Sequence, residues 1–351
     1  MPTIIHTFVL GAVLAGTVAG GQGKDMGESV DALMRDYQGD VPGASVLVIE
    51  NGKSVVSRSY GYADLEKRIA ASPRTNYRLA SVSKQFTAAS ILLLAQDGKL
   101  GLDDPVRKWL PSLPASADAI TLKHLLTHTS GLIDYEEVMA QDATENEQVH
   151  DADVLRLLET QGRTYFAPGS GYRYSNGGYA LLALIVEKAS GKRYAAFLHD
   201  RVFEPLGMKR TVAYEKGVSE VADRAYGYSL IDGRWQRADQ SSTSAVLGDG
   251  GIYSSIDDLT KWDAAQYDDR LLDAPSRKLA ATPWTKTDDP AVEYGYGWRV
   301  TGETLWHSGE TIGFRNVIVR YPQRKLTVVV LTNRDDPEPY KKALQIARLF
   351  L

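Results

Sequence analysis

The sequence predicts an α+β fold: one antiparallel sheet built from both ends of the chain, flanked by helices, with a mainly helical lobe inserted roughly within residues 85–285. Three observations lead there. The β-rich runs Ala44–Glu50 and Lys53–Ser59 flank Asn51-Gly52, a two-residue turn that tolerates positive φ and marks a hairpin. The middle of the chain reads as helices and loops. From Tyr294 onward short β-rich runs return, and a helix closes the chain.

Each element has its own signal. A helix is expected over Val30–Tyr37, after a polar linker at Gly20–Glu28. The hairpin follows, and Gly61-Tyr62-Ala63-Asp64 leads away from it. Ser81 opens an apolar helix that carries the run Phe86–Ala95 and ends at Asp97-Gly98, where glycine serves as the C-cap. Leu102-Asp103-Asp104-Pro105 begins a further segment, and Leu122–Thr127 is a short apolar helix ending at Thr129-Ser130-Gly131. Helices are expected at Val154–Gln161, at Tyr179–Ala189 and at Ile256–Tyr267, the last with Asp257-Asp258 in the first turn, where acids suit the helix dipole. Strands are expected at Tyr294–Val300, Thr304–His307, Phe314–Tyr321 and Leu326–Leu331, with a turn at Pro322–Lys325 and a final helix over Pro337–Phe350.

Composition narrows the class. The 351 residues are 43% hydrophobic and 24% charged, which suits a folded enzyme-sized chain. Forty basic and 44 acidic residues leave a net charge of -4 with no single-sign block, so nothing provides the basic stripe a nucleic-acid partner needs. The absence of cysteine excludes disulfides and thiol catalysis. Val9–Ala19 is an apolar stretch of small residues ending in the small-x-small sequence Thr17-Val18-Ala19, although Met1–Thr7 contains no Lys or Arg. It is too short for a stable membrane span and reads as a signal peptide over residues 1–19, which leaves 20–351 as one domain and predicts a periplasmic or secreted protein.

Three motifs carry the chemistry, each found once. Ser81-Val82-Ser83-Lys84 places a lysine one helical turn from a serine, on the same face. A serine hydroxyl is a poor nucleophile until a base takes its proton, and a lysine held neutral beside it can be that base. Tyr174-Ser175-Asn176 lies in a glycine-rich loop and is the one Tyr-x-Asn among 19 tyrosines; a phenol can relay protons and an amide can grip a substrate carbonyl. His307-Ser308-Gly309, at the expected end of a short strand, supplies small residues against which a substrate can lie.

In this set and order the chain resembles the serine β-lactamase and penicillin-binding-protein superfamily, most closely its class C β-lactamase-like branch, which includes esterases, D-amino-acid peptidases and β-lactamases. Leu125–Leu132 (Leu-Leu-Thr-His-Thr-Ser-Gly-Leu), Gly250-Gly251-Ile252-Tyr253-Ser254 and Gly313-Phe314 match as well. The resemblance implies a β-lactamase/transpeptidase-like fold and acyl transfer through an acyl-enzyme, without metal or organic cofactor. It implies Ser81 as nucleophile, Lys84 as its base and Tyr174 as proton relay. Asn176, His307, Ser308 and Gly309 would bind substrate, and the backbone amides of Ser81 and Glu310 would form the oxyanion hole. The substrate would be a small ester, peptide or β-lactam-like molecule.

The departures bear on substrate. No Lys-Thr-Gly occurs, and His307 stands where true β-lactamases carry a lysine that pairs with the antibiotic carboxylate; a neutral imidazole binds a carboxylate more weakly. That favours an esterase or D-peptidase over an efficient β-lactamase. Glu310 would favour a cationic substrate if its side chain entered the pocket, a direction that strand alternation leaves open at this level. His124 and His128 are four apart but lack the intervening glutamate of a zinc-hydrolase helix. The rival reading is a protein of this fold that binds cell-wall fragments or a partner with little or no turnover.

Overall fold

The structure, a computed structural model, describes residues 26–139 and 146–351. Its frame is an eight-stranded antiparallel sheet made of β1 (Ala44–Glu50), β2 (Lys53–Tyr60), β3 (Thr285–Lys286), β4 (Glu293–Tyr294), β5 (Arg299–Thr301), β6 (Thr304–Thr311), β7 (Phe314–Tyr321) and β8 (Leu326–Thr332). The strand order is β3-β4-β5-β6-β7-β8-β1-β2. β1 pairs with β8 along its length, Val46 opposite Val330 and Val48 opposite Val328, which joins the N-terminal hairpin to the C-terminal strands. The α+β sheet from both chain ends is therefore the observed fold.

Alternation along the strands sorts their side chains between two cores. Val46 and Val48 of β1, Val317 and Val319 of β7, and Val328 and Val330 of β8 share one cluster with Val30, Ala343 and Ile346. Those last three come from the terminal helices α1 (Met26–Leu33) and α5 (Tyr340–Ala347). Leu47, Ile49, Ile318, Val329 and Leu331 belong to the other, larger core, which is shared with the helical lobe. Burial on both faces explains why β1 and β8 are continuous apolar runs rather than alternating ones.

Three helices of the lobe matter for the site: α2 (Lys84–Gln96), α3 (Asn176–Ser190) and α4 (Ile256–Ala264). α2 is buried continuously from Lys84 to Leu94, as a helix at the centre of a core must be.

Several elements differ from expectation. The strand expected over Tyr294–Val300 is interrupted: Gly297, at φ +73°, lies so close to the start of α2 that a Cβ there would be 2.8 Å from the Lys84 carbonyl oxygen. β6 runs on to Thr311, so His307-Ser308-Gly309 lies within a strand and not at its end. Residues 226–247, for which the sequence suggested no strand, hold the hairpin Tyr228–Ile231/Arg234–Arg237 around Asp232-Gly233, both at positive φ. Tyr77–Arg78 and Val212–Ala213 flank Ile252–Ser254 in a small sheet of three strands. The segment expected as a signal peptide lies outside the described residues. Among the described residues no helix is long and apolar enough to cross a membrane.

Candidate active site

Ser81 sits in a single 3-10 turn, Ala80–Ser83, which runs directly into α2; Lys84 is the first α-helical residue. Sequence placed Ser81 at the start of the α-helix itself, and the structure places it one tighter turn earlier. The turn is held from three sides. Tyr77 and Arg78 pair with Ser254 and Tyr253, and the Leu79 amide donates to the Ile252 carbonyl at 2.8 Å. From β7, Asn316 Nδ2 donates to the Arg78 carbonyl at 2.7 Å. On the third side lies β6, whose pairing with β5 stops at Trp306 and leaves the edge from His307 onward for the turn to fill. Approach there is so close that a Cβ on Gly309 would stand 2.0 Å from the Leu79 carbonyl oxygen and 3.2 Å from the Ser81 amide nitrogen. Ala80, the residue before Ser81, has φ +49°, a left-handed conformation that costs a non-glycine residue about 1–2 kcal/mol.

Lys84 is fully buried. Its Nζ lies 3.0 Å from Ser81 Oγ, 2.8 Å from Asn176 Oδ1 and 2.9 Å from the Asp249 carbonyl oxygen. The amide oxygen and the carbonyl can only accept, so each takes an N–H. The third direction points at the Ser81 hydroxyl, which can either accept or donate.

Tyr174 and Asn176 arrive through the start of α3. Ser175 is its N-cap and accepts from the Gly178 amide at 3.1 Å. Asn176 turns Oδ1 toward Lys84 and Nδ2 toward Glu136 Oε1, 2.9 Å away. The Tyr174 ring lies over Lys84, with Nζ 4.9 Å from its centroid, and the Arg299 guanidinium carbon lies 5.6 Å from the same centroid.

The third motif is only partly at the cleft. His307 is buried, and both ring nitrogens are used: Nδ1 donates to the Ser308 carbonyl at 2.6 Å, and the Tyr294 hydroxyl donates to Nε2 at 2.9 Å. Burial first, then the Arg299 charge, pushes its imidazole well below the usual range, so it is neutral. The ring, expected to bind substrate, directs its hydrogen bonds to β4 and to its own strand. Gly309 meets the Ser81 turn, and Ser308 is partly exposed. Glu310 lies opposite Arg315 in the β6–β7 register, with their charged atoms 3.9 Å apart. Four residues along β6 from Trp306, which belongs to the α1/α5 core, it shares that face of the sheet, while the segment from Glu310 to Ile312 borders the cleft.

The cleft at Ser81 has a volume of about 300 Å³ and is walled by Asn176, Glu136, Thr243, Asp249, Arg78 and the 310–312 segment. Arg78 donates both guanidinium arms to Ser244. Asp249 is raised to about 7, by burial against the opposing Lys84 charge. Asp151 is raised to about 6, also by burial, although it accepts from the Leu247 and Gly248 amides that lead into Asp249. Sequence reading missed Asp249, Glu136 and Tyr294. Asp249 had a signal, the Asp-Gly-Gly loop entering a matched phrase; Glu136 and Tyr294 had none. In both His124 and His128 the ring Nδ1 accepts a backbone amide, from Thr121 and Ser175 respectively.

This fold and this serine–lysine pair define a β-lactamase-type serine hydrolase scaffold. The chain belongs to the Beta-lactamase family, which matches residues 29–350 and generally comprises serine hydrolases. Penicillin-binding protein 4* of Bacillus subtilis (strain 168) is 33% identical over 317 residues, covering 86% of this chain and 70% of that protein. Protein flp of Staphylococcus aureus (strain MW2) is 31% identical over 332 residues, covering 88% of this chain. The chain spans 64% of that relative's length. Among solved structures, the octameric penicillin-binding protein homologue from Pyrococcus abyssi is 29% identical with a TM-score of 0.79, covering 93% of this chain and 76% of that one.

Proposed function

We propose that the protein is a serine hydrolase that cleaves small esters or amides through an acyl-enzyme on Ser81, in the manner of a carboxylesterase or D-amino-acid peptidase, with weak or no β-lactamase activity. The observation that carries this reading is the set of contacts around Lys84. With two N–H groups spent on Asn176 Oδ1 and the Asp249 carbonyl, an uncharged Lys84 turns its lone pair to the Ser81 hydroxyl 3.0 Å away.

In the proposed reaction Lys84 Nζ takes the hydroxyl proton as Ser81 Oγ bonds to the substrate carbonyl carbon. The carbonyl oxygen becomes an oxyanion held by the amides of Ser81 and Glu310. Strand geometry supports the second donor. Ile312-Gly313 is a two-residue turn between Thr311 and Phe314, whose register makes them the hydrogen-bonded closing pair. Two-residue alternation then turns the Glu310 amide away from β7, toward the edge where the Ser81 turn packs. Tyr174 passes the proton to the leaving oxygen or nitrogen, and water attacks the acyl-enzyme by the reverse route. Asn176 positions the substrate acyl group, for which Nδ2 must exchange Glu136 for substrate.

The substrate preference rests on charge. His307 is neutral and committed to Tyr294, and the one base among the described cleft walls, Arg78, is held by Ser244. Neither offers an unpartnered cation to a β-lactam carboxylate, while the Glu136 carboxylate at the cleft wall would repel one.

p-Nitrophenyl butyrate hydrolysis by wild type and Ser81→Ala tests the reading. Loss of turnover in the variant supports it. A wild type that neither turns over this ester nor is labelled at Ser81 by a fluorophosphonate would overturn it in favour of a binding protein. Export also remains a proposal, carried by residues 1–19; a mature chain that begins after Ala19 in the periplasm or medium would support it.

A further inference from the structure

His128 is fully buried, stands in the left-handed backbone region at φ +59°, and has no role in the chemistry just described. It grips the chain on both sides of Tyr174. Its carbonyl accepts from the Arg173 amide at 3.0 Å, and its ring Nδ1 accepts from the Ser175 amide at 3.1 Å. Between those two anchors its ring lies against that of Tyr174, with centroids 4.2 Å and planes 36° apart.

The arrangement is costly for a residue that only fills space. Because Nδ1 accepts, a neutral ring carries its proton on Nε2, and Nε2 is buried without a hydrogen-bond partner among the described groups. The left-handed backbone adds its own penalty. Burial, the largest cause, pushes the His128 imidazole well below its usual range, so the ring stays neutral and Nδ1 stays an acceptor.

We propose that His128 is a positioning residue for Tyr174: by holding the amides of residues 173 and 175 and packing on the ring between them, it sets the height and tilt of the phenol over Lys84. Ser175, whose amide His128 holds, is also the N-cap of α3. This rests on the reading of Tyr174 as the proton relay.

Four replacements of His128, together with Tyr174→Phe, test it on p-nitrophenyl butyrate, with hydrogen exchange at the Ser175 amide as a readout independent of activity. Asn places Oδ1 where Nδ1 now accepts and tolerates positive φ. Gln reaches the Nε2 position instead, and Gly relaxes the backbone without offering an acceptor. His128→Ala is expected to lower kcat about 100-fold, the scale of a small misplacement of a reacting group, with KM little changed and Ser175 exchange accelerated. His128→Asn regains about tenfold in kcat, what one such hydrogen bond is worth, and restores protection. Gln and Gly stay at the Ala level, and His128→Ala/Tyr174→Phe falls no further than Tyr174→Phe.

If His128→Gly matches Asn, backbone strain alone explains the residue and the proposal fails; it also fails if Gln matches Asn or the double variant is additive. Full activity in Tyr174→Phe would remove both the relay and its clamp. An inactive Tyr174→Phe beside a normal His128→Ala would remove the clamp alone. Should His128→Ala not fold, the comparison of Asn with Gln decides the matter.

Discussion

Among the three acceptors around Lys84 Nζ, only the Ser81 hydroxyl can return a proton, so the protonation state of the lysine decides which way that contact runs. As an ammonium it donates to Oγ; as an amine it accepts from it. Lys84→Ala is therefore expected to lower kcat about as much as Ser81→Ala, because the pair acts as one unit. Lys84→Arg is not expected to rescue, since a guanidinium stays protonated and cannot serve as the base. Burst kinetics on the p-nitrophenyl ester check both, and a Lys84→Ala enzyme with near-normal acylation would defeat the assignment. Asp249 carries the second residue-level prediction. Its carboxyl is raised to about 7, so the folded protein binds that proton more tightly than the unfolded chain, whose carboxyl titrates near its ordinary value of about 4. The stabilisation is full below the unfolded value and is lost as pH rises through the folded one. Asp249→Asn cannot ionise. The wild-type Tm should thus fall relative to that of Asp249→Asn between about pH 4 and pH 7. A constant difference across that window would show that the carboxyl does not titrate there.

At the level of elements, the decisive contact is between a strand edge and a tight turn. Gly309 is small because β6 and the Ala80–Ser83 turn touch there; a methyl group would stand 2.0 Å from the Leu79 carbonyl oxygen. Gly309→Ala must push the strand away from the Ser81 amide, and the proposed oxyanion donors separate with it. The expected result is a loss of about 100-fold or more in kcat, the scale seen when one such donor is removed, with the Ser81–Lys84 pair still labelled slowly by a fluorophosphonate. Activity near wild type would mean that the Glu310 amide is not part of the oxyanion hole. Sequence reading reached much of this arrangement because its parts are local. A two-residue turn at Asn51-Gly52, an apolar run after Ser81 and a Ser-x-x-Lys spacing need no knowledge of distant residues. What it could not reach depends on tertiary contact. The ring direction of His307 is set by Tyr294, thirteen residues away on β4. The side of the sheet taken by Glu310 follows from a register visible only when β6 and β7 are paired. The Asp232-Gly233 hairpin is a different case: the turn signal is local, but its flanking strands, Tyr228–Ile231 and Arg234–Arg237, are only four residues each and show no clear alternation.

Over the whole molecule, the groups around Ser81 come from distant stretches: the 81–84 turn, the start of α3, the loop at Asp249 and the edge of β6. Pairing of β1 with β8 joins the N-terminal hairpin to the strands that carry β6, against whose edge the 81–84 turn packs. The sheet also separates two kinds of burden. One face packs on the lobe that carries Lys84 and α3, and the opposite face packs on α1 and α5. Ile346, fully buried on α5, belongs to that second core and lies remote from the Ser81 cleft in the layered arrangement. Ile346→Ala should therefore destabilise the fold by about 2–5 kcal/mol, the usual range for such a truncation, while kcat per folded molecule on p-nitrophenyl butyrate stays at the wild-type value. Denaturant unfolding followed in parallel by far-UV circular dichroism and by ester turnover checks this. Both signals should move together to a lower midpoint in the variant, because the proposed site needs the edge of β6 as well as the lobe. A variant whose turnover fell well before its secondary structure, or whose kcat dropped in the absence of denaturant, would show that the α1/α5 face shapes the site through the sheet rather than only supporting it.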